Sequence, residues 1–308
     1  MSKLLAVFGN PVLHSKSPQL FNTAFATLGI EAYYTRINPV APKNLVPTFR
    51  ALGLFGANIT APFKTDVMPQ LDTLSAQARA IGAVNTIAIC NGLLMGYNTD
   101  AYGVAESLRE GGVELSNAKS LLLGAGGAAR AAACALRDKG AQVYICNRTH
   151  AKAQEIAKDF GCEVLDWDKF PQSMEFDVAV STLMPEVQPP FLGRLRIKAL
   201  LDANYKPSMV SDFARGKSVN VVPGERWLLH QAVEAFGLIM GQSIEPDVMA
   251  KGLTEKISRS SAKTLIVNEQ NLKAAGSKPY DLLVPALWDE FKTVENLVDE
   301  EICKAFGG

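Results

Sequence analysis

The sequence predicts a two-domain α/β fold, and three observations carry that expectation. Short apolar runs ending in Gly, Asn or Pro alternate with longer stretches of helical spacing, the pattern of parallel α/β units. From about Ala101 the pattern changes, and an apolar strand, a glycine turn and an alanine-rich helix follow one another without interruption. The 308 residues suffice for one large or two ordinary domains with a sizeable core.

The first strand is "KLLAVFG", residues 3–9, and the loop "NPVLHSKSP" leads to a helix beginning near Pro18, a residue suited to the first helical turn. Leu20, Phe21, Phe25 and Leu28 fall on one face of that helix. A second strand "AYYTRINP", a short helix "KNLVPTFRALG" and a third strand "GANIT" come next, with "APFK" as the exit loop. "DTLSAQARAIGAV" has helical spacing closed by Gly82, and "NTIAICNGLLMGYNTD" folds as two strands about an Asn91–Gly92 turn. "AYGVAESLREGG" is a helix, "AKSLLLGAGGAARAAACALRDKG" a strand, turn and helix, and "QVYICNRT" and "AKAQEIAKDFG" the next strand and helix. "FDVAVSTL" and "IKALLDANY" are two further strands, and long helices are expected near Arg226–Met240 and Glu245–Ser258. Residues 259–308 are mixed. "AAGSKPYD" is a linker, and the following 25 residues have amphipathic helical spacing, with Leu282, Leu283, Val284, Leu287, Trp288 and Phe291 as the apolar stripe.

Composition narrows the function. Thirty-one basic and 31 acidic residues cancel, so there is no electrostatic reason to expect nucleic acid or an anionic membrane as partner. Cys90, Cys134, Cys146, Cys162 and Cys303 are odd in number and lack C-x-x-C spacing, which reads as small buried hydrophobes in a reducing compartment. His14, His150 and His230 are far apart and give no metal-ligand spacing, so no metal is expected. No apolar run approaches the ~18 residues of a membrane span, and the N-terminus lacks the build of a signal peptide; a soluble cytoplasmic protein is expected.

"LLLGAGGAARAA" places Gly124, Ala125, Gly126, Gly127 and Ala128 between an apolar strand and a helix. A dinucleotide fold needs a tight turn there, close backbone approach to a pyrophosphate, and a helix N-terminus aimed at it. The same glycines can also be a purely structural turn. At the end of the next strand an NAD site usually carries Asp or Glu for the ribose hydroxyl, whereas "CNRTHAK" offers Asn147, Arg148, Thr149 and Lys152. A guanidinium with a nearby ammonium matches a 2′-phosphate, so NADP is the expected cofactor.

Polar residues in the first hundred positions collect at expected strand ends: Ser15 and Ser17, Asn58 and Thr60, Asn85 and Thr86, then Asn98, Thr99 and Asp100. Ligands of parallel sheets gather at carboxyl ends of strands, and hydroxyls, amides, one ammonium (Lys64) and one carboxylate suit a small, hydroxyl-rich anion. Bland readings stand beside this one: Lys64 as a loop charge, Ser17 as a helix cap before Pro18, Asn85 as a turn residue.

The motifs "FGNPVLHSKSP", "GANITAPFK", "GAVNT", "GYNTDAYG", "LLLGAGGAARA", "NRT" and "LLHQAVEAF" run in order from residue 3 to about 258, roughly five-sixths of the chain. In that order and spacing the sequence resembles the shikimate dehydrogenase family. The resemblance implies reversible NADP-dependent reduction of 3-dehydroshikimate to shikimate. It also implies an N-terminal α/β substrate domain, a Rossmann-type doubly wound nucleotide domain, and C-terminal helices returning to the substrate domain. The corresponding boundaries are 1–103, 104–224 and 225–258, with 259–308 an extension of open role. Carried across, Lys64 and Asp100 resemble the catalytic pair. Ser15, Ser17 and Thr60 resemble carboxylate-binding hydroxyls, Asn85, Asp100 and Gln231 partners of the ring hydroxyls, and Tyr205 a further contact. The chemistry agrees with the pair: hydride arriving at a ketone creates alkoxide character, which an ammonium stabilises and protonates. The segments "VSTLMPE", "YKPSMVSDF" and "PGERWLLHQ" depart from the family pattern where the nicotinamide end is expected, with Arg226 at a family glycine. Two other readings stay open: a sibling oxidoreductase acting on quinate or another cyclitol acid, and a non-catalytic ligand sensor on the same fold. The expected form is a monomer or homodimer.

Overall fold

The computed structural model describes residues 3–12, 15–39 and 41–254 and the backbone of residues 281–284. The chain divides into two compact units, Met1–Thr73 with Thr86–Gly96 and Phe236–Gly308, and Leu74–Asn85 with Tyr97–Ala235.

The chain opens with β1 (Lys3–Phe8), α1 (Ser17–Leu28), β2 (Ala32–Pro39), α2 (Leu45–Ala51) and β3 (Gly56–Ile59). A two-residue strand β4 (Thr73–Leu74), α3 (Ala76–Ile81) and the hairpin of β5 (Thr86–Cys90) and β6 (Leu93–Tyr97) follow. The segment from Asp72 is therefore not one helix: Ser75 stops the strand and caps α3, its hydroxyl accepting the Ala78 N–H at 3.1 Å. Asn91 and Gly92 turn the hairpin with φ of 51° and 80°, the left-handed pair that a two-residue turn requires.

Next come α4 (Asp100–Glu110), β7 (Lys119–Leu123), α5 (Gly127–Asp138), β8 (Gln142–Cys146), α6 (His150–Phe160) and β9 (Glu163–Leu165). The chain continues with β10 (Glu175–Ser181), β11 (Arg196–Asp202), α7 (Met209–Gly216), β12 (Asn220–Val222), α8 (Gly224–Met240) and α9 (Pro246–Thr254), and last β13 (Asp281–Val284). The three-residue strands β9 and β12 are too short to leave a period in the sequence. Helix α7 is marked by a capping box at Ser208 and Ser211 that lies inside an irregular polar stretch.

In the first unit the strand order is β13, β2, β1, β3, β5, β6, β4. β1 pairs in parallel with β2 and β3, while β3–β5 and β13–β2 are antiparallel, so this sheet is mixed beyond the one hairpin that the sequence led us to expect among parallel units. Phe21 stacks on Tyr34 with centroids 4.4 Å apart, and Phe236 lies 6.0 Å from both Phe21 and Phe25. Leu28 departs from the expected stripe and is 44% exposed. Its angular position matches Phe21, but it is the last residue before the Gly29 cap, beyond the aromatic cluster that α1 covers. α9 packs on α1. Residues 281–284, expected in a helical stripe, form the edge strand instead, Asp281 opposite Pro39 and Val284 opposite Arg36. A four-residue apolar run cannot be assigned between helix and strand by spacing alone. The rest of that stripe, the 274–280 linker, His14 and Cys303 lie outside the described residues.

The second unit holds an all-parallel sheet ordered β12, β11, β10, β7, β8, β9, a doubly wound arrangement whose order reverses between β7 and β10. Ala129, Ala131, Ala132 and Ala133 of α5 are fully buried, small enough to bring that helix close to the sheet. On the opposite face Phe170 stacks on Phe191 at 3.9 Å. Burial pushes the Cys134 and Cys146 thiols up to about 12, so these cysteines behave as core hydrophobes. Among the described residues no helix is long and apolar enough to cross a membrane, and no cluster of His, Cys, Asp or Glu can hold a metal ion.

Candidate active site

In the first unit, β1 and β3 are parallel neighbours, so the chains leaving them emerge at one end of the sheet. Ser15 and Ser17 stand at the start of α1, both buried, with hydroxyls 3.3 Å apart. Ser17 does not cap the helix. The cap position is Lys16, which makes no side-chain cap bond. After β3, Thr60 donates its N–H to Phe8 O at 2.8 Å and Asn10 donates to Ala61 O at 3.1 Å, tying the two exits together. Lys64 follows half-buried, between the buried anchors Phe63 and Val67. Asn58 is fixed from both sides: it accepts the Tyr34 hydroxyl at 2.6 Å and donates to Thr86 Oγ1 at 3.0 Å.

In the second unit, the structure brings Gln231 to Asn85 and Thr99, more than 130 residues away in sequence, with Asp100 next to Thr99 in the chain. Asn85 donates to Thr99 Oγ1 at 3.0 Å and to Gln231 Oε1 at 3.4 Å, and its oxygen accepts the Thr99 N–H at 2.8 Å. Asn85 is therefore a network member and not simply a turn residue. Asn98 fixes the other side, accepting the Asp100 N–H at 3.0 Å and donating to Ala83 O at 2.9 Å. The Asp100 carboxylate is 7% exposed at the first turn of α4, where a negative charge is favoured by the helix N-terminus. Tyr205, after β11, is within electrostatic reach of it: burial, then the Asp100 and Glu225 carboxylates, push its phenol well up.

α4 and α8 carry these groups, and they meet closely. A Cβ at Gly103 would lie 2.7 Å from Trp227 Cδ1 and 3.0 Å from Gln231 Cβ. At the far end of α4, Glu110 takes the Arg226 guanidinium by its Nε at 2.7 Å and by Nη2, and His230 Nε2 lies 2.8 Å away. Arg226, which departs from the family pattern, is thus committed to joining α8 to α4. Burial alone would raise Glu110, but the hydrogen bonds from Arg226 and His230 hold its carboxyl below the usual range.

The glycine turn joins β7 to α5 at the sheet's switch point. Gly124 has φ of 106°, and a Cβ there would strike Thr182 Oγ1 at 2.3 Å, so neither backbone nor space admits another residue. Around Gly126 nothing lies within 4 Å of such a Cβ, which leaves room for a ligand to approach the backbone. α5 starts there without a side-chain cap, its first N–H groups presented by Gly127 and Ala128, with Ala125 half-buried in the turn. The neighbouring strand β8 ends in Asn147, whose amide donates to Thr149 O at 2.9 Å, followed by exposed Arg148, Thr149 and Lys152. Asp166, which follows the neighbouring strand β9, has its carboxyl held low first by the N–H groups of Lys169 and Asp168. These residues fit a dinucleotide bearing a 2′-phosphate: an open glycine turn, an uncapped helix start, and two cations in a segment, 147–152, that carries no carboxylate of its own.

Thr99, Glu110 and His230 went unassigned in the sequence. Thr99 carried a signal, being one of the strand-end polar residues, but Glu110 and His230 meet only through the crossing of α4 and α8.

A model of the shikimate dehydrogenase substrate binding domain matches residues 7–87, and one of shikimate / quinate 5-dehydrogenase matches residues 105–223. The chain is 39% identical over 273 residues to a shikimate dehydrogenase (NADP(+)) of Carboxydothermus hydrogenoformans, covering 82% of this chain and 96% of that one. Among solved structures, the shikimate dehydrogenase of Aquifex aeolicus matches with a TM-score of 0.75 at 33% identity, covering 82% of this chain and 98% of its own. The shikimate 5-dehydrogenase of Thermus thermophilus, in complex with NADP(H) and shikimate, gives 0.74 at 34% identity, with 81% and 98% covered. By these matches, which span nearly the whole of each relative, the chain belongs to the shikimate dehydrogenase family.

Proposed function

We propose that the protein is an NADP-dependent shikimate dehydrogenase that reversibly reduces 3-dehydroshikimate to shikimate, with Lys64 and Asp100 as its catalytic residues. The observation that carries this reading is the buried network of Asn85, Thr99 and Gln231 beside Asp100, in a chain whose relatives of matching length are named for this reaction.

The chemistry supplied by bound NADPH is a hydride to the ring ketone. The protein's own groups do the rest. The Lys64 ammonium donates a hydrogen bond to the ketone oxygen, stabilises the negative charge that grows there, and passes it a proton, which solvent later restores. The Asp100 carboxylate accepts a hydrogen bond from a ring hydroxyl and orients the ring. Asn85 and Gln231, already locked by Thr99, offer fixed amides to the remaining hydroxyls, so little ordering is left to do on binding. Ser15, Ser17 and Thr60 receive the substrate carboxylate, and Tyr205 adds a neutral phenol. The backbone of Gly124–Ala128 holds the pyrophosphate, and Asn147, Arg148, Thr149 and Lys152 the 2′-phosphate. In this reading residues 1–103 with 225–258 bind substrate and 104–224 bind the cofactor, and the enzyme works in the cytoplasm.

Absorbance of NADPH formed with shikimate, with quinate and without substrate tests the proposal. Turnover with shikimate and NADP is expected. Turnover confined to quinate and NAD would establish the sibling oxidoreductase, and saturable binding without turnover a sensor.

A further inference from the structure

Strand β2 carries a charge that its sequence context hides. Arg36 is 0% exposed, and its guanidinium donates from Nε to Ser15 O at 3.1 Å and also from Nη2 to the same oxygen. Ser15 is the residue whose hydroxyl pairs with Ser17, and Ser17 N–H in turn donates to Ser15 Oγ at 3.4 Å. The Ser15–Ser17 turn thus has a buried cation on its backbone carbonyl and opens a twelve-residue helix at Ser17, and both a cation and a helix N-terminus favour an anion.

Resting on the functional reading above, we propose that Arg36 is a positioning residue for carboxylate recognition, holding the Ser15–Ser17 turn in place and supplying the positive charge behind its hydroxyls. Serine hydroxyls alone bind a carboxylate and a neutral ester with similar geometry. A fixed cation in a low-dielectric interior separates the two, because it acts on the ligand's net charge at distances where hydrogen bonds do not. Burial pulls Arg36 down to about 9, with the neighbouring Tyr34 opposing, which leaves it charged at neutral pH. Tyr34 is itself fixed, its hydroxyl on Asn58 and its backbone clamped by the Asn22 amide at 2.9 Å on both N–H and C=O. A rigid wall thus keeps the cation where it is.

The test compares shikimate with its methyl ester as substrates for the unmodified protein, Arg36→Gln and Arg36→Lys. Gln keeps a donor for Ser15 O and removes the charge; Lys keeps the charge. In Arg36→Gln, KM for shikimate should rise roughly ten-fold or more, while kcat, KM for NADP and KM for the ester stay within about two-fold. Arg36→Lys should restore most of the preference for the acid. An equal rise for acid and ester, or no rise for either, overturns the inference and leaves Arg36 a structural residue. If Arg36→Gln does not fold, Arg36→Lys decides: an acid preference near that of the unmodified protein supports the inference, and its collapse overturns it. No turnover of shikimate by the unmodified protein overturns the functional reading, and this inference with it. Turnover of shikimate by the unmodified protein with unaltered discrimination in Arg36→Gln overturns this inference alone.

Discussion

Lys64 shows how single residues acquire meaning in this chain. As one lysine among 31 basic residues it has no signature of its own, and its half-buried place between Phe63 and Val67 follows only from the tied exits of β1 and β3. If it donates the proton, Lys64→Ala should lower kcat by roughly 10²–10⁴ with a smaller change in KM, as expected for a positioned acid–base group. Steady-state kinetics check this, and near-normal turnover would remove Lys64 from the mechanism. Arg148, at the end of β8, is expected to discriminate between cofactors. Arg148→Ala should raise KM for NADP by roughly ten- to hundred-fold and leave NAD almost unchanged, since only the former has the phosphate for paired charge-assisted bonds. Lys152, four residues on, retains part of the attraction, so the low end of that range is expected first. An equal loss for both cofactors would indicate a folding role. At this scale the sequence was informative where a residue type was unusual for its place, as with basic residues where an acid is customary. It was silent on Arg36, because one arginine inside "AYYTRINP" reads as an outward-facing strand position until the strand's burial is known.

Between elements, the pairing of α4 with α8 decides whether Asp100 and Gln231 keep their places. Gly103 allows the crossing, and Gly103→Ala must push against the Trp227 backbone oxygen 2.8 Å from the new methyl, which cannot swing aside. Overpacking of this kind costs about 1–3 kcal/mol, so a lower melting temperature and a raised KM for substrate should appear together. Glu110, Arg226 and His230 fasten the other end. Because its folded pKa is lowered, Glu110 contributes stability that is present above its unfolded value, about 4.3, and is lost as pH falls through the folded value. Thermal melts of the unmodified protein and Glu110→Gln should differ at pH 7 and converge as pH falls below the lowered folded value. A constant difference across that range would mean that Glu110 acts by packing instead of charge. Helix periods and turn signals made α1, α4, α5, α6 and the β5–β6 hairpin legible beforehand. The short strands β9 and β12 and the helix α7 were not, because their existence depends on a parallel neighbour or a local cap and leaves no period to read.

For the molecule as a whole, two α/β units were readable from the alternation of strand and helix patterns and from the glycine turn, while the antiparallel pairing of β3 with β5 and of β13 with β2 was not. Pairing direction depends on where a connection lands, and β13 comes from a region that the amphipathic spacing assigned to a helix. That strand gives the C-terminal extension a physical role to test. β2 would otherwise be the edge of its sheet, and its neighbouring surface includes Tyr33, which is 52% exposed. An uncovered edge offers unpaired N–H and C=O groups to any other strand, including one from a second copy. The four pairs of β13 add little net stability, since each backbone hydrogen bond contributes about 0.5–1.5 kcal/mol and ordering each residue costs about 1–2 kcal/mol. Ending the chain after Ser260 should therefore shift the melting temperature only slightly and leave measurable shikimate oxidation. Self-association is the sensitive readout: light scattering coupled to size exclusion should show the shortened protein forming concentration-dependent oligomers, and Tyr33→Lys, a charge on the newly bare edge, should suppress them. A shortened protein that stays monodisperse would show that β13 does not protect this edge, and one that folds but no longer binds shikimate would make the extension part of the substrate site.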